Sequence, residues 1–312
     1  MEYLRQEDIE TEKILFTGLD NAGKTSIILA LQREFSKISS ITPTRGAQRR
    51  IFDFLGRSVS EWDLGGQELY RISYIKNPGK YFDNTEVCIF CIDIRNKKRI
   101  PEALSYLDDV IKKFEELEIN PPIYIFFHKF DPALERSALN EYSDLMINLK
   151  EDIKKASEYK RLYFYKTSVY DISGLIQVMS EIFLTLIEKP ELLNRTLEEF
   201  ANKENCESAL LIDNNSLIIS SFFRDNNIEE LMNLIPPYFL RLNDRFNIVV
   251  ENKDYSVKNP EDKIIVYRLN KYFYFSQIKD DPPYYLLFVK KEPTYDDDSV
   301  IILSDFLDSF IR

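Results

Sequence analysis

The sequence predicts an α/β domain followed by a smaller α+β domain, and three observations carry that expectation. The first is the run Gly18-Leu19-Asp20-Asn21-Ala22-Gly23-Lys24-Thr25, which reads G-x-x-x-x-G-K-T. It follows an apolar strand pattern, Ile14-Leu15-Phe16, and precedes a helix opening at Ser26-Ile27-Ile28-Leu29-Ala30-Leu31. That is the strand–loop–helix setting of a phosphate-binding loop. The second is the alternation, up to residue 190, of short apolar strands with segments patterned at helical spacing. The third is glycine placement: of eight glycines, five (18, 23, 46, 65 and 66) fall in runs suited to phosphate contact, and none lies beyond Gly174.

A chain of 312 residues exceeds one typical domain, and its 44% hydrophobic content suffices for two cores. The net charge of −11 argues against non-specific nucleic-acid binding and against electrostatic docking on anionic membranes. Three cysteines make no disulfide framework. Cys88 and Cys91 form C-x-x-C inside an apolar strand run, where alternation points their sulfurs to opposite faces. Core thiols of a cytoplasmic protein are expected, not a metal or redox pair. The run Met1-Glu2-Tyr3-Leu4-Arg5-Gln6-Glu7 reads as neither signal nor transit peptide, and Glu2 is incompatible with myristoylation. The end Asp308-Ser309-Phe310-Ile311-Arg312 offers no prenylation site, so no direct membrane anchor is expected.

In the phosphate loop, successive backbone N–H groups must wrap a phosphate chain at the positive end of a helix. The candidate nucleotide contacts there are Asp20, Asn21, Ala22, Gly23, Lys24, Thr25 and Ser26. Lys24 would reach the β- and γ-phosphates and the Thr25 hydroxyl would ligate Mg²⁺. Thr42-Pro43-Thr44-Arg45-Gly46 follows, where Thr44 can reach the metal when a γ-phosphate is present. Residues 48–55 and 58–64 read as a hairpin turning at Gly56-Arg57. The second strand runs into Trp62-Asp63-Leu64-Gly65-Gly66-Gln67-Glu68. Asp63 can hold Mg²⁺ through a water, the Gly66 N–H can sense a γ-phosphate, and Gln67 can orient the attacking water.

Residues 86–93 read as a buried strand, and Pro101 opens a helix whose stripe is Ala103, Leu104, Leu107, Val110, Ile111, Phe114 and Leu117. Another buried strand, Ile123-Tyr124-Ile125-Phe126-Phe127, ends in His128-Lys129-Phe130-Asp131. The Asp131 carboxylate could accept the N1–H and N2–H of guanine, a donor pair adenine lacks, while the Lys129 stem would cover the ring face. A strand over 162–165 leads to Lys166-Thr167-Ser168-Val169, where a backbone N–H of Ser168 or Val169 could meet guanine O6. A helix over 172–188 closes the domain at Pro190.

These residues resemble the Ras-like small GTPases over residues 1–190. The GLDNAGKT loop and WDLGGQ look like the Arf branch; HKFD and Thr167-Ser168-Val169-Tyr170-Asp171 look more like the Rag/Gtr branch. The resemblance implies a six-stranded, mostly parallel sheet with helices on both faces, bound GTP or GDP with Mg²⁺, and slow hydrolysis needing an activating partner. It also implies an exchange factor and switch segments near Thr44 and Gln67. His128 stands where most of the superfamily has Asn, and its ring nitrogen would brace the phosphate loop instead. Arg45 reads as a solvated or partner-facing cation, or as a stabilising cation supplied in cis.

Beyond a linker over 188–196, a short helix over 197–204 opens the second domain, 197–312. Two strand runs flank the turn Asp213-Asn214-Asn215-Ser216, and a helical stripe from Ile228 to Phe246 is interrupted at Pro236-Pro237. Strands over 264–269, 272–278 and 284–289 precede a helix capped by Asp297-Asp298-Ser299. This element order resembles the roadblock/longin fold and implies a homo- or heterodimer formed through 197–312. Two alternatives to a cycling switch stay open. One is a non-cycling GTP-bound scaffold; the other is a trafficking GTPase resembling Arf proteins or the signal-recognition-particle receptor β subunit.

Overall fold

A computed structural model describes residues 11–251 and 263–311. The readings of residues 1–10 and of Arg312 lie outside the described residues. The chain divides into two compact units, Met1–Leu175 and Ile176–Arg312.

In the first unit the elements run β1 (Glu12–Gly18), α1 (Lys24–Leu31), α2 (Phe35–Ile38), β2 (Ala47–Phe54), β3 (Arg57–Leu64), α3 (Glu68–Lys76), α4 (Pro78–Tyr81), β4 (Thr85–Asp93), α5 (Ile100–Glu116), β5 (Ile123–His128), α6 (Pro132–Ala156) and β6 (Leu162–Thr167). The six strands form one sheet in the order β2-β3-β1-β4-β5-β6, and only β2 runs antiparallel to its neighbour. The carboxyl ends of the five parallel strands therefore share one edge, where the loops that bind ligands collect in open α/β sheets. Register aligns that edge closely: Asp93 sits opposite His128, and His128 opposite Thr167. β1, β4 and β5 are covered on both faces, which is why they read as near-continuous apolar runs.

The β2–β3 turn is Leu55-Gly56, one residue earlier than expected, because both residues adopt positive φ (51° and 76°), as a two-residue hairpin turn requires. On α5 the buried stripe is Ala103, Tyr106, Leu107, Val110, Ile111 and Phe114; Leu104 and Leu117 are only partly buried. Cys88 and Cys91 are both fully buried and free, and burial pushes the Cys91 thiol up to about 12. The 25-residue α6 has no counterpart in the sequence reading. Its signals are Pro132 at the first turn and the spacing of Tyr142, Leu145, Met146, Leu149 and Ile153, which pack on the α5 side of the core.

α7 (Ile172–Leu184) spans the division between the units, which falls at 175/176. Its later part belongs to the second unit, where the Ile218 N–H donates to Ser180 Oγ at 2.7 Å. The expected linker is also shorter, since α8 (Glu191–Lys203) begins directly after Pro190, a residue suited to a helix start. β7 (Ser208–Asp213), β8 (Ile218–Phe223), α9 (Asn226–Leu234), α10 (Pro236–Glu251), β9 (Lys263–Arg268), β10 (Lys271–Asp280), β11 (Pro283–Lys290) and α11 (Asp297–Ile311) follow. Pro236 divides the long stripe into two helices.

The five strands form an antiparallel sheet in the order β8-β7-β11-β10-β9. Tyr285, Leu287 and Val289 pack with Ile228, Met232, Phe239 and Leu240 of α9 and α10. Leu286 and Phe288, on the alternate face, pack with Leu197, Phe200 and Ala201 of α8 and Leu303 of α11. The aromatic strands are core: Tyr274 stacks on Phe288 at 4.7 Å between ring centroids, and Phe275 on Tyr285 at 5.2 Å. Among the described residues, no helix is long and apolar enough to cross a membrane.

Candidate nucleotide site

The loop between β1 and α1 is shaped by two glycines in backbone conformations that a side chain resists. Gly18 has φ +132°, and a Cβ there would lie 2.4 Å from the Cys91 carbonyl oxygen. Gly23 has φ +99° and caps α1, whose first turn carries no acidic residue to occupy its positive end. Ala22 and Lys24 are buried, whereas Asn21 is exposed and Asp20 and Ser26 are half-buried. Lys24 Nζ donates to the loop's own carbonyls, Gly18 O at 3.1 Å and Leu19 O at 2.8 Å. Burial lowers its pKa, and the nearby Asp63 carboxylate opposes that fall. The ammonium is thereby held beneath the loop.

Three oxygens from distant parts of the chain meet beside it. Thr25 Oγ1 donates to Asp63 Oδ2 at 2.6 Å, Thr44 Oγ1 donates to the same oxygen at 3.1 Å, and the two hydroxyls lie 2.8 Å apart. The other carboxylate oxygen, Asp63 Oδ1, is buried without a hydrogen-bond partner among the described residues. A hard, all-oxygen donor set with an unsatisfied carboxylate oxygen fits Mg²⁺. Thr25 and Thr44 would hold the ion directly and Asp63 through water.

The glycine pair after Asp63 is dictated by close approach. A Cβ on Gly65 would lie 2.4 Å from Thr44 O, and one on Gly66 would lie 2.1 Å from Asp20 N. Gly65 N–H donates to Gly46 O at 2.9 Å, joining the Thr44 and Gln67 segments. Gln67 caps α3 and lines one cavity together with Asp20, Lys24, Thr25, Thr44 and Gly66. Arg45 is exposed and lines a neighbouring cavity with Thr25 and Gln67.

At the other end of the sheet edge, Asp131 Oδ1 accepts from Ser168 Oγ at 2.6 Å, and its Oδ2 pairs with Arg95 at 3.2 Å. Val169 is half-buried in the turn that follows. His128 is 1% exposed, with Nδ1 2.9 Å from Thr167 Oγ1 and its ring against Gly23. Burial lowers its pKa to about 4, helped by Lys129 and opposed by Asp93, so the ring is neutral at pH 7. Lys129 Nζ donates to Asn21 O at 2.6 Å and to Asp93 Oδ2 at 2.7 Å, binding the base corner to the phosphate loop.

The sequence reading missed Arg71, Asp93, Arg95, Arg99 and Glu102. The available signal was the basic run Arg95-Asn96-Lys97-Lys98-Arg99, placed directly after a buried strand and so at the ligand edge. Arg99 pairs with Asp20 at 2.8 Å and holds that carboxyl below its usual range.

Two curated relatives resemble parts of the chain. ADP-ribosylation factor-like protein 3 of Chlamydomonas reinhardtii is 39% identical over 38% of this chain and 63% of its own length. ADP-ribosylation factor-like protein alp41 of Schizosaccharomyces pombe is 30% identical over 55% of this chain and 84% of its own. This chain thus spans under two thirds of the Chlamydomonas relative. The solved structure of the Arl6 small GTPase from Trypanosoma brucei, with bound nucleotide analogue GppNp, aligns at a TM-score of 0.44 and 20% identity, covering 56% of this chain and 97% of that one. Residues 13–250 match the conserved region of the Gtr1/RagA G proteins. Members of that group of small GTPases bind GTP and GDP with Mg²⁺, and the oxygen set around Asp63 suits that ion. The chain belongs to the Gtr1/RagA G-protein family of the Ras superfamily, with additional likeness to Arf-like proteins.

Proposed function

We propose that this protein is a guanine-nucleotide switch that hydrolyses GTP slowly and pairs through its second unit with another module of the same kind. The meeting of Thr25, Thr44 and Asp63 carries the reading, because it brings residues from three separate segments to the place where a γ-phosphate and its Mg²⁺ would lie, so that the Thr44 segment would respond to the γ-phosphate. In this mechanism Lys24 and the loop amides hold the β- and γ-phosphates. Mg²⁺ held by Thr25, Thr44 and Asp63 would supply positive charge to neutralise the charge that develops in the transition state. Gln67 orients the attacking water. Asp131 reads the guanine edge, with His128 and Lys129 bracing the loop. Turnover without a partner should be about 10⁻⁴ to 10⁻² s⁻¹, and an activating protein and an exchange factor complete the cycle.

The pairing rests on the second unit's edge. Among the described residues β9 pairs only with β10, yet it exposes Ile265, Val266 and Tyr267. An apolar edge strand invites strand addition. α10 also exposes Tyr238, Leu242 and Phe246 at four-residue spacing.

Phosphate release by the purified chain, alone and as Gln67→Leu, tests the enzyme; equal rates remove Gln67 from the mechanism. GTP that co-purifies and never turns over would favour the scaffold reading instead. Sedimentation of the full chain against Tyr267→Lys tests the pairing, and an unchanged mass would refute the β9 edge as its site.

A further inference from the structure

Three charged side chains outside the nucleotide contacts, together with Asp20 of the phosphate loop, form a continuous line between the two loops that would close on the phosphates. Arg71 Nε donates to Gly66 O at 2.9 Å, and its other end pairs with Glu102. Glu102 also pairs with Arg99 at 2.9 Å, and Arg99 pairs with Asp20 of the phosphate loop at 2.8 Å. The signs alternate along the line, so it carries no net charge. Its middle members, Arg99 and Glu102, lie at the start of α5, a rigid element packed on the sheet. Arg71 is buried, with its guanidinium 5.1 Å from the Tyr106 ring, and the Tyr106 hydroxyl lies 3.0 Å from Thr17 Oγ1 in β1.

The acceptor is informative. Gly66 O belongs to the peptide unit that ends at the Gln67 nitrogen, so Arg71 fixes the plane from which Gln67 projects. Gly66 also packs closely on the phosphate loop, where a Cβ would lie 2.1 Å from Asp20 N. If the second switch segment withdrew, Arg71 would lose its acceptor while still buried, a penalty that falls on the withdrawn state alone.

We propose that Arg71, Glu102 and Arg99 are positioning residues, an ionic latch that holds the Gly66-Gln67 peptide against the phosphate loop and so favours the triphosphate-bound state over the diphosphate-bound one. The inference deepens the proposed switch and rests on it. A ligand gains from the latch only to the extent that it binds the closed arrangement better than the open one. GTP, whose γ-phosphate reaches Gly66, does so; GDP does not.

The test compares wild type with Glu102→Gln, which removes the charge joining the two arginines at constant shape, and with Arg71→Lys, which cannot fork to both Gly66 and Glu102. Affinities for a non-hydrolysable GTP analogue and for GDP, each with Mg²⁺, are measured by calorimetry, and folding is followed by thermal melts. The preference for the triphosphate should fall about tenfold in both variants, with GDP affinity changed less than about threefold. Equal weakening of both nucleotides marks the line as merely structural and overturns the latch, as does no change in either. Wild-type protein that binds neither nucleotide would overturn the proposed function itself, a result separable from failure of the latch because it needs no variant.

Discussion

His128 and Gly23 leave no room between them: a Cβ on Gly23 would lie 2.4 Å from His128 Cδ2 and 2.7 Å from Nε2. The ring cannot yield, being buried and fixed to Thr167 through Nδ1. Gly23→Ala therefore meets both a clash and a strained φ of +99°, a combined cost of about 3 kcal/mol, which in a loop that must close on phosphate corresponds to roughly hundredfold weaker binding. Gly79→Ala is the control, since a Cβ there meets nothing within 4 Å. Calorimetry with GDP should separate the two, and equal affinities would remove the His128–Gly23 contact from the account of this site.

The same burial makes stability depend on pH. In the unfolded chain His128 titrates near its ordinary 6.5, and in the fold near 4, so as pH falls through that interval the unfolded state binds the proton first and stability is lost. The full loss is about 3 kcal/mol. Glu61 acts in the opposite sense. Burial raises its pKa from 4.5 to about 7, against the pull of Arg50, so its contribution is complete below 4.5 and disappears as pH rises through 7. The two partly cancel in the wild type. Urea midpoints of His128→Asn and wild type at pH 7, 5.5 and 4.5 isolate the histidine: the variant should gain on wild type with each step down. A gap that stays constant with pH would show that His128 is not held neutral.

The motifs at the sheet edge were legible because each is a short local run whose chemistry is set by spacing: G-x-x-x-x-G-K-T, Asp63 before a glycine pair, Asp131 after a buried strand. The strands were legible because burial on both faces leaves few polar residues in them. α6 was not, since its stripe emerges only from Tyr142 onward, ten residues after the helix starts. Arg71, Arg95, Arg99 and Glu102 were not, because an isolated charge carries no sign of its partner until the topology brings β3, β4 and α5 to one edge. The division at 175/176 has no local signal for a related reason: Pro190 marks a helix start, and nothing in the run of α7 shows that it contributes to both units.

At the base corner, both oxygens of Asp131 are occupied, one by the Ser168 hydroxyl and one by Arg95. Arg95 is largely exposed, so its pairing is worth less than about 1 kcal/mol and guanine can displace it. Arg95→Ala should change GDP affinity by less than about fivefold. Asp131→Asn removes a charged acceptor and offers a donor where guanine also donates, so GDP affinity should fall at least about tenfold while xanthosine diphosphate gains. Competition of the two diphosphates on each variant checks this. Retained guanine preference in Asp131→Asn would assign base reading elsewhere.

Asp63 Oδ2 accepts from both Thr25 and Thr44, and the second oxygen is buried without a partner among the described residues. A carboxylate in that condition is best satisfied by a cation and its water shell. Adding Mg²⁺ together with a GTP analogue should therefore raise the melting temperature of the wild type well above the value in chelator. Asp63→Asn keeps the shape and one acceptor oxygen but loses the charge, and its metal affinity should fall about 10–100-fold. The ligand-induced stabilisation then shrinks by about 1.4 to 2.7 kcal/mol at a fixed, near-saturating concentration. Melts of both proteins across a Mg²⁺ titration measure the shift directly. If the two curves superimpose, Asp63 does not serve the ion, and the gathering of the two threonines around it would need an explanation within the fold itself.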